Sequence, residues 1–485
     1  MSVRIGLEIH VQLNTLKTKL FCSTPSDYHD KPPNTVVCPV CLGMPGTLPV
    51  VNRKAIEAAL MVALALNCEI APRILFVRKH YFYPDLPKNY QISQFDGPGM
   101  FPYARRGWLR ISVGGRTKVV RIRRINIEED PGKLTYPTGS MLTSPYSLVD
   151  YNRSGMPLLE IVTEPDMESP QEARAFVEKL LAILDYLGVC DHRKEGAFRV
   201  DANVSIEGGA RVEIKNIGSA KDVERALEFE IARQRSVLAS GGEVRRETRH
   251  WDPVRKVTVP IRVKEVEEDY RYFPDPDLPP IDVPRSWLEE IARRMPELPD
   301  QRIERFVKQY GIDEYRATVL VLNKSLADLF EECAKSYRDY KKLADWLITD
   351  FLRWVKELGI DLSSRKVEPR AIVSLLRVLD EGRISVRMAK ELLPKVIAEN
   401  LDVEEYVRRT GMEKISDVEQ LKRVVEEVFK ENPKAVRDAL RNRKAVNFLV
   451  GAVMRKTRGR ADPQLTLRLI MEKLEEVAKS GGQEG

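Results

Sequence analysis

The stretch DYRYFPDPDLPPIDVP at residues 269–284 separates two parts of the chain that have different residue patterns. Its five prolines, spaced by short polar steps, are typical of an extended connector lying over a neighbouring domain. Before it, strand-like runs meet at glycine turns such as Gly114-Gly115, and Pro170–Leu187 carries the capping signals of a helix. After it, apolar residues recur at helical spacing. The sequence therefore predicts an α+β protein, with a mixed sheet first and helices after it.

Composition narrows the class of protein. Of the 485 residues, 43% are hydrophobic and 31% are charged, which indicates a folded chain of about three domains. The formal net charge of +7 suits either a nucleic-acid partner or an ordinary, slightly basic enzyme. The sequence has no apolar run of about 18 residues, no signal peptide and no disulfide framework. We therefore expect a cytoplasmic protein with reduced cysteines and no membrane span.

The first candidate site is Gly6-Leu7-Glu8-Ile9-His10. In a strand, residues 8 and 10 project to the same face, so a carboxylate and an imidazole would lie side by side. A charged glutamate is rarely buried without a partner. The pair therefore indicates either a site or a polar strand edge open to water.

Further acids occur at the ends or in the middle of predicted strands. Glu128 and Glu129 precede a Pro-Gly turn, Glu160 interrupts an apolar run, and Asp201 begins a polar strand face. Lys215 occupies a similar strand position. Clustered carboxylates repel one another unless a cation such as Mg²⁺ holds them. Taken singly, each of these acids can equally lie on a solvated turn or sheet face.

The cysteines Cys22, Cys38 and Cys41 form half of a metal-site pattern. A Cys-x2-Cys pair is typical of zinc sites, but a closed structural site needs four ligands. His29 is a candidate fourth ligand by residue type. The alternative is a site that has lost its metal.

The C-terminal part is strongly basic. Residues 434–460 contain nine lysines or arginines against one acid, Asp438. Such a helical module suits contact with a phosphate backbone, although a charged run is commonly only a solvated face.

Taken together and in this order, these segments resemble the GatB family, the B subunits of the tRNA-dependent amidotransferases. The resemblance covers nearly the whole chain. The matching segments are GLEIHVQLNT (6–15), PNTVVCPVCLGMPGTLPVVN (33–52), RKHYFYPDLPKNYQISQ (78–94), NIEEDPGKL (126–134), DYNRSGMPLLEIVTEPD (150–166), RVDANVSI (199–206), EIKNIGS (213–219), DYRYFPDPDLPP (269–280) and FLVGAVMRKTRGRADPQL (448–465).

The resemblance implies a reaction. The family uses ATP to phosphorylate the side-chain carboxylate of Asp on tRNA(Asn) or Glu on tRNA(Gln), and ammonia then displaces the phosphate. It implies Mg²⁺ held by Glu8, His10, Glu129 and Glu160, with Glu128 as the substitute for Glu129. Asp201 and Lys215 are expected members of the site. Lys79 resembles the position where the ammonia channel meets the phosphorylation site.

The resemblance also implies an architecture and partners. We expect a cradle domain at 1–292, a helical domain at 293–405, a YqeY-like tRNA-binding tail at 406–479 and disorder at 480–485. The partners are an amidase subunit (GatA) and a small subunit (GatC), in a heterotrimer. For the tail, charge and the family role suggest three tRNA contacts: Lys456, Arg458 and Arg460.

The zinc site matches the family imperfectly. Many members have Cys-x-Cys before Cys-x2-Cys, whereas Thr24 stands here in place of the second cysteine. Zinc is therefore the weaker of the two metal predictions.

Three other readings make different predictions. The related archaeal glutamyl-specific subunit carries an inserted domain, for which the short passage from Asp269 to Arg285 leaves no room. A non-enzymatic tRNA-binding protein would keep amidation intact when Glu8 or Glu160 is replaced. An ATP-independent zinc-knuckle RNA protein needs the fourth metal ligand that is missing here.

Overall fold

The computed structural model describes residues 2–139, 144–263, 270–411, 418–442, 445–457 and 459–480. Contacts divide the chain into two compact units, Met1–Gln301 and Arg302–Gly485. The first unit contains the strands and the second contains helices, so the predicted α+β class is confirmed. The predicted domain boundaries at 292 and 405 stay predictions.

Unit 1 is built on a mixed sheet. The strands are β1 (Val3–Gln12), β2 (Glu69–Ile70), β3 (Arg73–Ile74), β4 (Val77–His80), β5 (Tyr90–Ser93), β6 (Ala104–Val113), β7 (Arg116–Glu129), β8 (Lys133–Thr135), β9 (Leu148–Asp150), β10 (Pro157–Thr163), β11 (Phe198–Ile206), β12 (Val212–Ile217), β13 (Glu247–Asp252), β14 (Val257–Val263), β15 (Phe273–Pro274) and β16 (Ile281–Asp282). Among the described residues, nine of them form one sheet in the order β14-β13-β12-β11-β1-β10-β7-β6-β2. Only β12 and β13 run parallel within it, and the other pairs are antiparallel.

The central strand β1 shows why one face of this sheet is polar. Ile5, Leu7 and Ile9 are buried in the core, while the alternate residues, Glu8 and His10 among them, face the other way. This alternation is the period of two that a strand imposes on its side chains. The opposite face of the sheet is therefore free to carry a site.

Helices cover the core face. They are α1 (Arg53–Ala65), α2 (Pro170–Leu187), α3 (Ala220–Ala239) and α4 (Arg285–Arg294). Helix α2 occupies the predicted range, and Ser169 caps it by accepting a hydrogen bond from the Glu172 N–H at 3.2 Å. Phe176 of α2 and Leu227 of α3 are among the buried side chains that join the sheet core.

The proline-rich connector lies on unit 1, as its composition predicts. Strand β15 pairs with β4, and strand β16 pairs with β3. Arg78 of β4 also binds Asp275 and Asp277 at 2.9 and 2.7 Å. The first connector residue, Asp269, lies outside the described part of the chain.

The regular elements described in unit 2 are helices. They are α5 (Pro299–Tyr310, whose first three residues belong to unit 1), α6 (Glu314–Val321), α7 (Lys324–Ala334), α8 (Tyr340–Trp346), α9 (Leu352–Glu357), α10 (Pro369–Asp380), α11 (Val386–Glu399), α12 (Val403–Thr410), α13 (Val418–Glu431), α14 (Pro433–Arg441), α15 (Val446–Lys456) and α16 (Pro463–Ser480). A π-helical stretch, Leu347–Phe351, joins α8 to α9. Helices α13 to α16 share their own buried cluster, which includes Leu421, Leu449 and Ile470. Of the tail predicted to be disordered, Ser480 ends α16, and residues 481–485 lie outside the description.

Candidate active site

Strand register gathers the predicted acids on the polar face of the sheet. His10 of β1 lies directly opposite Glu160 of β10, and Glu8 lies opposite Asp201 of β11. Glu8, His10 and Glu160 each offer a ligand atom, and these atoms all lie within 4.8 Å of one another. Residues far apart in sequence thus meet in one cluster, which we call the acid–imidazole cluster.

The two carboxylates of this cluster are held in an unfavourable setting for negative charge. Burial, followed by the neighbouring charges of Glu160 and Asp201, raises the pKa of Glu8 to about 7. Burial, followed by the charge of Glu128, raises the pKa of Glu160. A bound cation would relieve this repulsion, so the cluster has the electrostatics of a cation site.

His10 is held as a neutral imidazole. Burial, followed by the positive charges of Arg199 and Lys215, places its pKa well below the usual value. Its Nε2 lies 3.8 Å from Glu8 Oε1, while its buried Nδ1 has no hydrogen-bond partner among the described residues. A neutral imidazole keeps one nitrogen lone pair for a metal. Two carboxylates and this imidazole therefore form a donor set that can hold Mg²⁺ beside phosphate oxygens.

The carboxylates of Glu128 and Glu129 lie in different surroundings. Glu128 lies on the face of β7 that Asn126 and Glu160 share, and its carboxylate accepts from Ser93 Oγ at 2.5 Å. Glu129 lies outside the acid–imidazole cluster. Its carboxylate pairs with Lys88 and accepts from the Ile92 N–H at 2.9 Å.

Asp201, Lys215 and Lys79 also lie beside the cluster. Lys215 Nζ donates to Asp201 Oδ2 at 3.0 Å, and the Asn216 N–H donates to Oδ1 at 2.9 Å. Although burial opposes it, the charge of Asp201 raises the pKa of Lys215. Lys79 Nζ rests 4.6 Å from the ring centroid of Tyr270, and its charge adds to the causes that lower the pKa of His10, after burial, Arg199 and Lys215.

The cysteines form a second cluster. Sulfur atoms of Cys22, Cys38 and Cys41 lie within 4.8 Å of one another. Lys19, fully buried, donates to Cys41 Sγ at 3.7 Å, so an ammonium lies beside the sulfurs. His29 instead contacts the Glu195 carbonyl at 3.1 Å. The described residues thus supply three ligands and a positive charge, which does not match a closed four-ligand zinc site.

The residues predicted to contact tRNA differ in whether their side chains already have partners within the protein. Lys456 Nζ pairs with Glu427 at 2.9 Å and also with Glu431. Arg460 donates to the Gly411 carbonyl at 3.1 Å. Arg458 lies outside the described residues. By contrast, Lys434 and Arg437 of α14 are exposed and have no ion-pair partner within the described part of the chain.

Four arginines near the acid–imidazole cluster belong to none of the motifs that the sequence displays. They line a cavity together with Glu8, and they are Arg4, Arg123, Arg124 and Arg211. Arg4 shares the alternate positions of β1 with Glu8, which is a signal that the sequence carries. The position of the other three depends on strand register, which the sequence does not display.

No helix among the described residues has both the length and the apolar character needed to span a membrane.

The chain is similar to known proteins over nearly its whole length. A family model described as the GatB/GatE catalytic domain matches residues 3–289, and one described as the GatB domain matches residues 328–474. The B subunit of the aspartyl/glutamyl-tRNA(Asn/Gln) amidotransferase of Sulfurisphaera tokodaii is 59% identical over 468 residues, which cover 96% of this chain and 98% of that protein. The proteins of the same name from Carboxydothermus hydrogenoformans and Thermotoga maritima are each 48% identical, with 97% of this chain and 98% of theirs covered.

These matches first define a class, that of proteins built around a GatB/GatE catalytic domain. The second matched domain and the names of the relatives narrow the class. The chain belongs to the GatB family of amidotransferase B subunits, as its sequence motifs predict.

Proposed function

We propose that this chain is the phosphorylating and amidating subunit of a tRNA-dependent amidotransferase. The observation that carries the proposal is the acid–imidazole cluster, in which Glu8, His10 and Glu160 offer ligand atoms within 4.8 Å of one another. The names of the relatives supply the substrates, which are Asp on tRNA(Asn) and Glu on tRNA(Gln). The product is the corresponding amidated aminoacyl-tRNA for translation.

The proposed reaction has two steps. An oxygen of the substrate carboxylate bonds to the γ-phosphorus of ATP, and the bond from that phosphorus to the β–γ bridging oxygen breaks, which releases ADP. Ammonia then bonds to the acyl carbon, the bond from that carbon to the phosphate oxygen breaks, and phosphate leaves together with one proton from the nitrogen. Phosphoryl transfer depends mostly on positioning and charge neutralisation, which suits a site made of fixed charges.

The side chains have separate roles in this proposal. Glu8, Glu160 and neutral His10 would hold Mg²⁺, which would neutralise phosphate charge when bound. Glu128 is the acid of the Glu128–Glu129 pair that faces the cluster, so we assign it, rather than Glu129, to the fourth position. Lys215 holds Asp201 beside Glu8. Lys79 lies where we expect ammonia to arrive.

The partners follow from the chemistry and the family. The sequence contains no amidase signature, so ammonia must come from an amidase subunit (GatA), with a small subunit (GatC) completing a heterotrimer. The basic helices of unit 2 would grip the tRNA away from its acceptor end. We place this reaction in the cytoplasm, where translation occurs.

The decisive experiment uses the complex of three subunits, each mischarged tRNA in turn and γ-labelled ATP. We expect Glu8→Gln and Glu160→Gln to lower ATP-dependent amidation by about 100-fold or more, because charge stabilisation at the transition state is lost. Glu243→Gln, in an exposed loop, is the matched control and should keep wild-type rates. Normal amidation by both site variants would instead favour a purely tRNA-binding role.

A further inference from the structure

The cavity lined by Glu8 and the four arginines lies beside the acid–imidazole cluster. It has a volume of about 310 Å³. Glu8 belongs to its lining, so the cavity adjoins the cluster at that residue. The other lining residues that matter here are Gly6, Arg4, Arg123, Arg124 and Arg211.

Strand pairing explains why Arg4 and Arg211 lie together at one end of this arginine-lined cavity. Along β1 and β11, Glu8 lies opposite Asp201, Gly6 opposite Asn203, and Arg4 opposite Ser205. Gly6 has no side chain, and Pro165, which also lines the cavity, packs over it between Glu8 and Arg4, with its Cα 3.6 Å from where a Cβ of residue 6 would lie. Because Val212 pairs with Val204, the preceding Arg211 lies beside Ser205. Arg4 and Arg211 therefore converge at the end of the cavity remote from the cluster.

A β-bulge in the pairing of β7 with β10 explains why two consecutive arginines, Arg123 and Arg124, form another wall of the cavity. Val162 of β10 pairs with Arg124 of β7, but the next residue, Thr163, pairs with Ile122. Ile122 and Ile125 are both buried in the core, so Arg123 and Arg124 between them both lie toward the cavity. A bulge inserts one extra residue into a strand and re-aims a side chain in this way.

The cavity carries excess positive charge. Arg123 is neutralised by Glu164, with two contacts at 2.8 and 3.1 Å. Arg124 lies 3.7 Å from Glu160 Oε2. Arg4 and Arg211 have no ion-pair partner among the residues that the structure describes. These two arginines line the cavity, are exposed to solvent and carry charge that no described acid pairs with.

We propose that the arginine-lined cavity binds the polyphosphate of the nucleotide, with Arg4 and Arg211 as its principal ligands. This inference rests on the proposed function, because the cluster must meet the transferred phosphate. Guanidinium groups bind phosphate oxygens through paired hydrogen bonds. The backbone of β1 rises about 14 Å from Glu8 to Arg4, so the two arginines lie beyond the cluster, where the rest of the polyphosphate can extend.

A triphosphate fits this arrangement better than a tRNA backbone does. Its phosphorus atoms follow one another through single bridging oxygens, so several charges fall within one small cavity. In a nucleic-acid backbone a sugar separates neighbouring phosphates. A cavity of about 310 Å³ that is lined by converging arginines therefore suits the closely spaced charges of a triphosphate better than the wider spacing of a nucleic-acid backbone.

The test is steady-state kinetics of the three-subunit complex carrying Arg4→Gln and Arg211→Gln together. We expect KM for ATP to rise about 10- to 100-fold, because charge-assisted hydrogen bonds to phosphate are lost. KM for mischarged tRNA should stay within about twofold. Inorganic tripolyphosphate should inhibit the wild-type complex in competition with ATP and inhibit the variant much less. Arg116→Gln, at an exposed hairpin end of the same sheet, is the matched control.

The outcomes of these experiments distinguish a failure of the cavity assignment from a failure of the proposed function. An unchanged KM for ATP overturns the cavity assignment, and a rise in KM for tRNA alone shows that the cavity binds tRNA instead. If Glu8→Gln keeps normal amidation, the proposed function fails. Direct binding of tripolyphosphate to wild-type and doubly substituted complexes then still decides whether the cavity is a polyphosphate site. Arg4→Lys with Arg211→Lys should recover part of the ATP affinity, because the charge returns without the guanidinium fork.

Discussion

His10 and Glu160 occupy directly opposite positions on the neighbouring antiparallel strands β1 and β10. The acid–imidazole cluster therefore depends on the register of this pairing. A slip by one residue would turn every side chain of one strand to the other face. The large core under the sheet fixes the register because Leu7 and Ile9 must stay buried. The packing that keeps Leu7 and Ile9 buried therefore also brings His10 and Glu160 together.

Glu128 and Glu129 should differ in what their replacement does. Glu128 faces Glu160, so Glu128→Gln should lower the amidation rate by about 100-fold with little change in stability. Glu129 forms a buried pair with Lys88, so Glu129→Gln should lower the free energy of unfolding by about 3 kcal/mol. Amidation assays and denaturant unfolding of both variants check this. The reverse pattern would restore Glu129, the residue that the family resemblance suggests, as the metal ligand.

Lys215 should tune the cation affinity of the cluster. Its ammonium neutralises Asp201, which lies opposite Glu8. Lys215→Met removes a positive charge next to a cation site, so Mg²⁺ should bind about fivefold more tightly. The variant should also unfold at a lower temperature without Mg²⁺, and added Mg²⁺ should raise its midpoint more than that of the wild type.

Lys221→Met is the matched control for this measurement, since Lys221 is an exposed residue in the first turn of α3. Equal Mg²⁺-induced shifts for wild type, Lys215→Met and Lys221→Met would show that Lys215 does not act on the cation.

Sequence alone predicts the polar face of β1 because alternation is local. It equally predicts α2 and the proline-rich connector from their capping and turn residues. The sequence does not show which of Glu128 and Glu129 faces the acid–imidazole cluster, because that depends on how β7 pairs with β10. Arg123 and Arg124 were missed for a related reason. A bulge breaks the alternation there, and only the pairing to Val162 and Thr163 reveals it.

Basic residues of α14 should matter more for tRNA binding than Lys456 does. Lys434 and Arg437 are exposed without ion-pair partners among the described residues, whereas Lys456 is paired with Glu427 and Glu431. The double variant Lys434→Ala/Arg437→Ala should weaken tRNA binding to the complex. It should also reduce the slope of log affinity against log salt by about 1 per lost phosphate contact. Lys456→Ala should change neither quantity appreciably, and a larger effect of Lys456→Ala would contradict the assignment.

The Arg121–Asp166 pair should make a pH-dependent contribution to stability. Hydrogen bonds from the Arg121 side chain, at 2.7 and 2.9 Å, lower the pKa of Asp166 below its usual 3.8. A depressed pKa means that stabilisation is full above about pH 4 and disappears as the pH falls through the folded-state value.

Asp166→Asn should therefore reduce stability by about 0.5–1 kcal/mol near pH 7, because the pair is partly exposed and screened. Thermal unfolding of both proteins between pH 7 and pH 3 checks this. The difference between them should stay constant down to about pH 4 and shrink below it. A difference that grows on acidification would contradict the assignment.

Thr24→Cys should turn the three-cysteine cluster into a true zinc site. The side chain and backbone of Thr24 already donate hydrogen bonds to the Cys22 sulfur, so a thiol at position 24 would complete four sulfur ligands. The hydrogen bond from Cys22 lowers the pKa of Cys41 and raises that of Cys22, and the ammonium of Lys19 then favours the Cys41 thiolate. Zinc affinity, measured by chelator competition, should rise more than about tenfold in Thr24→Cys, since even outer partners of a metal site are worth that much. Thr117→Cys, which adds an exposed thiol at the far end of the β6–β7 hairpin, should leave the affinity unchanged, and equally tight zinc binding by the wild type would show that three cysteines suffice.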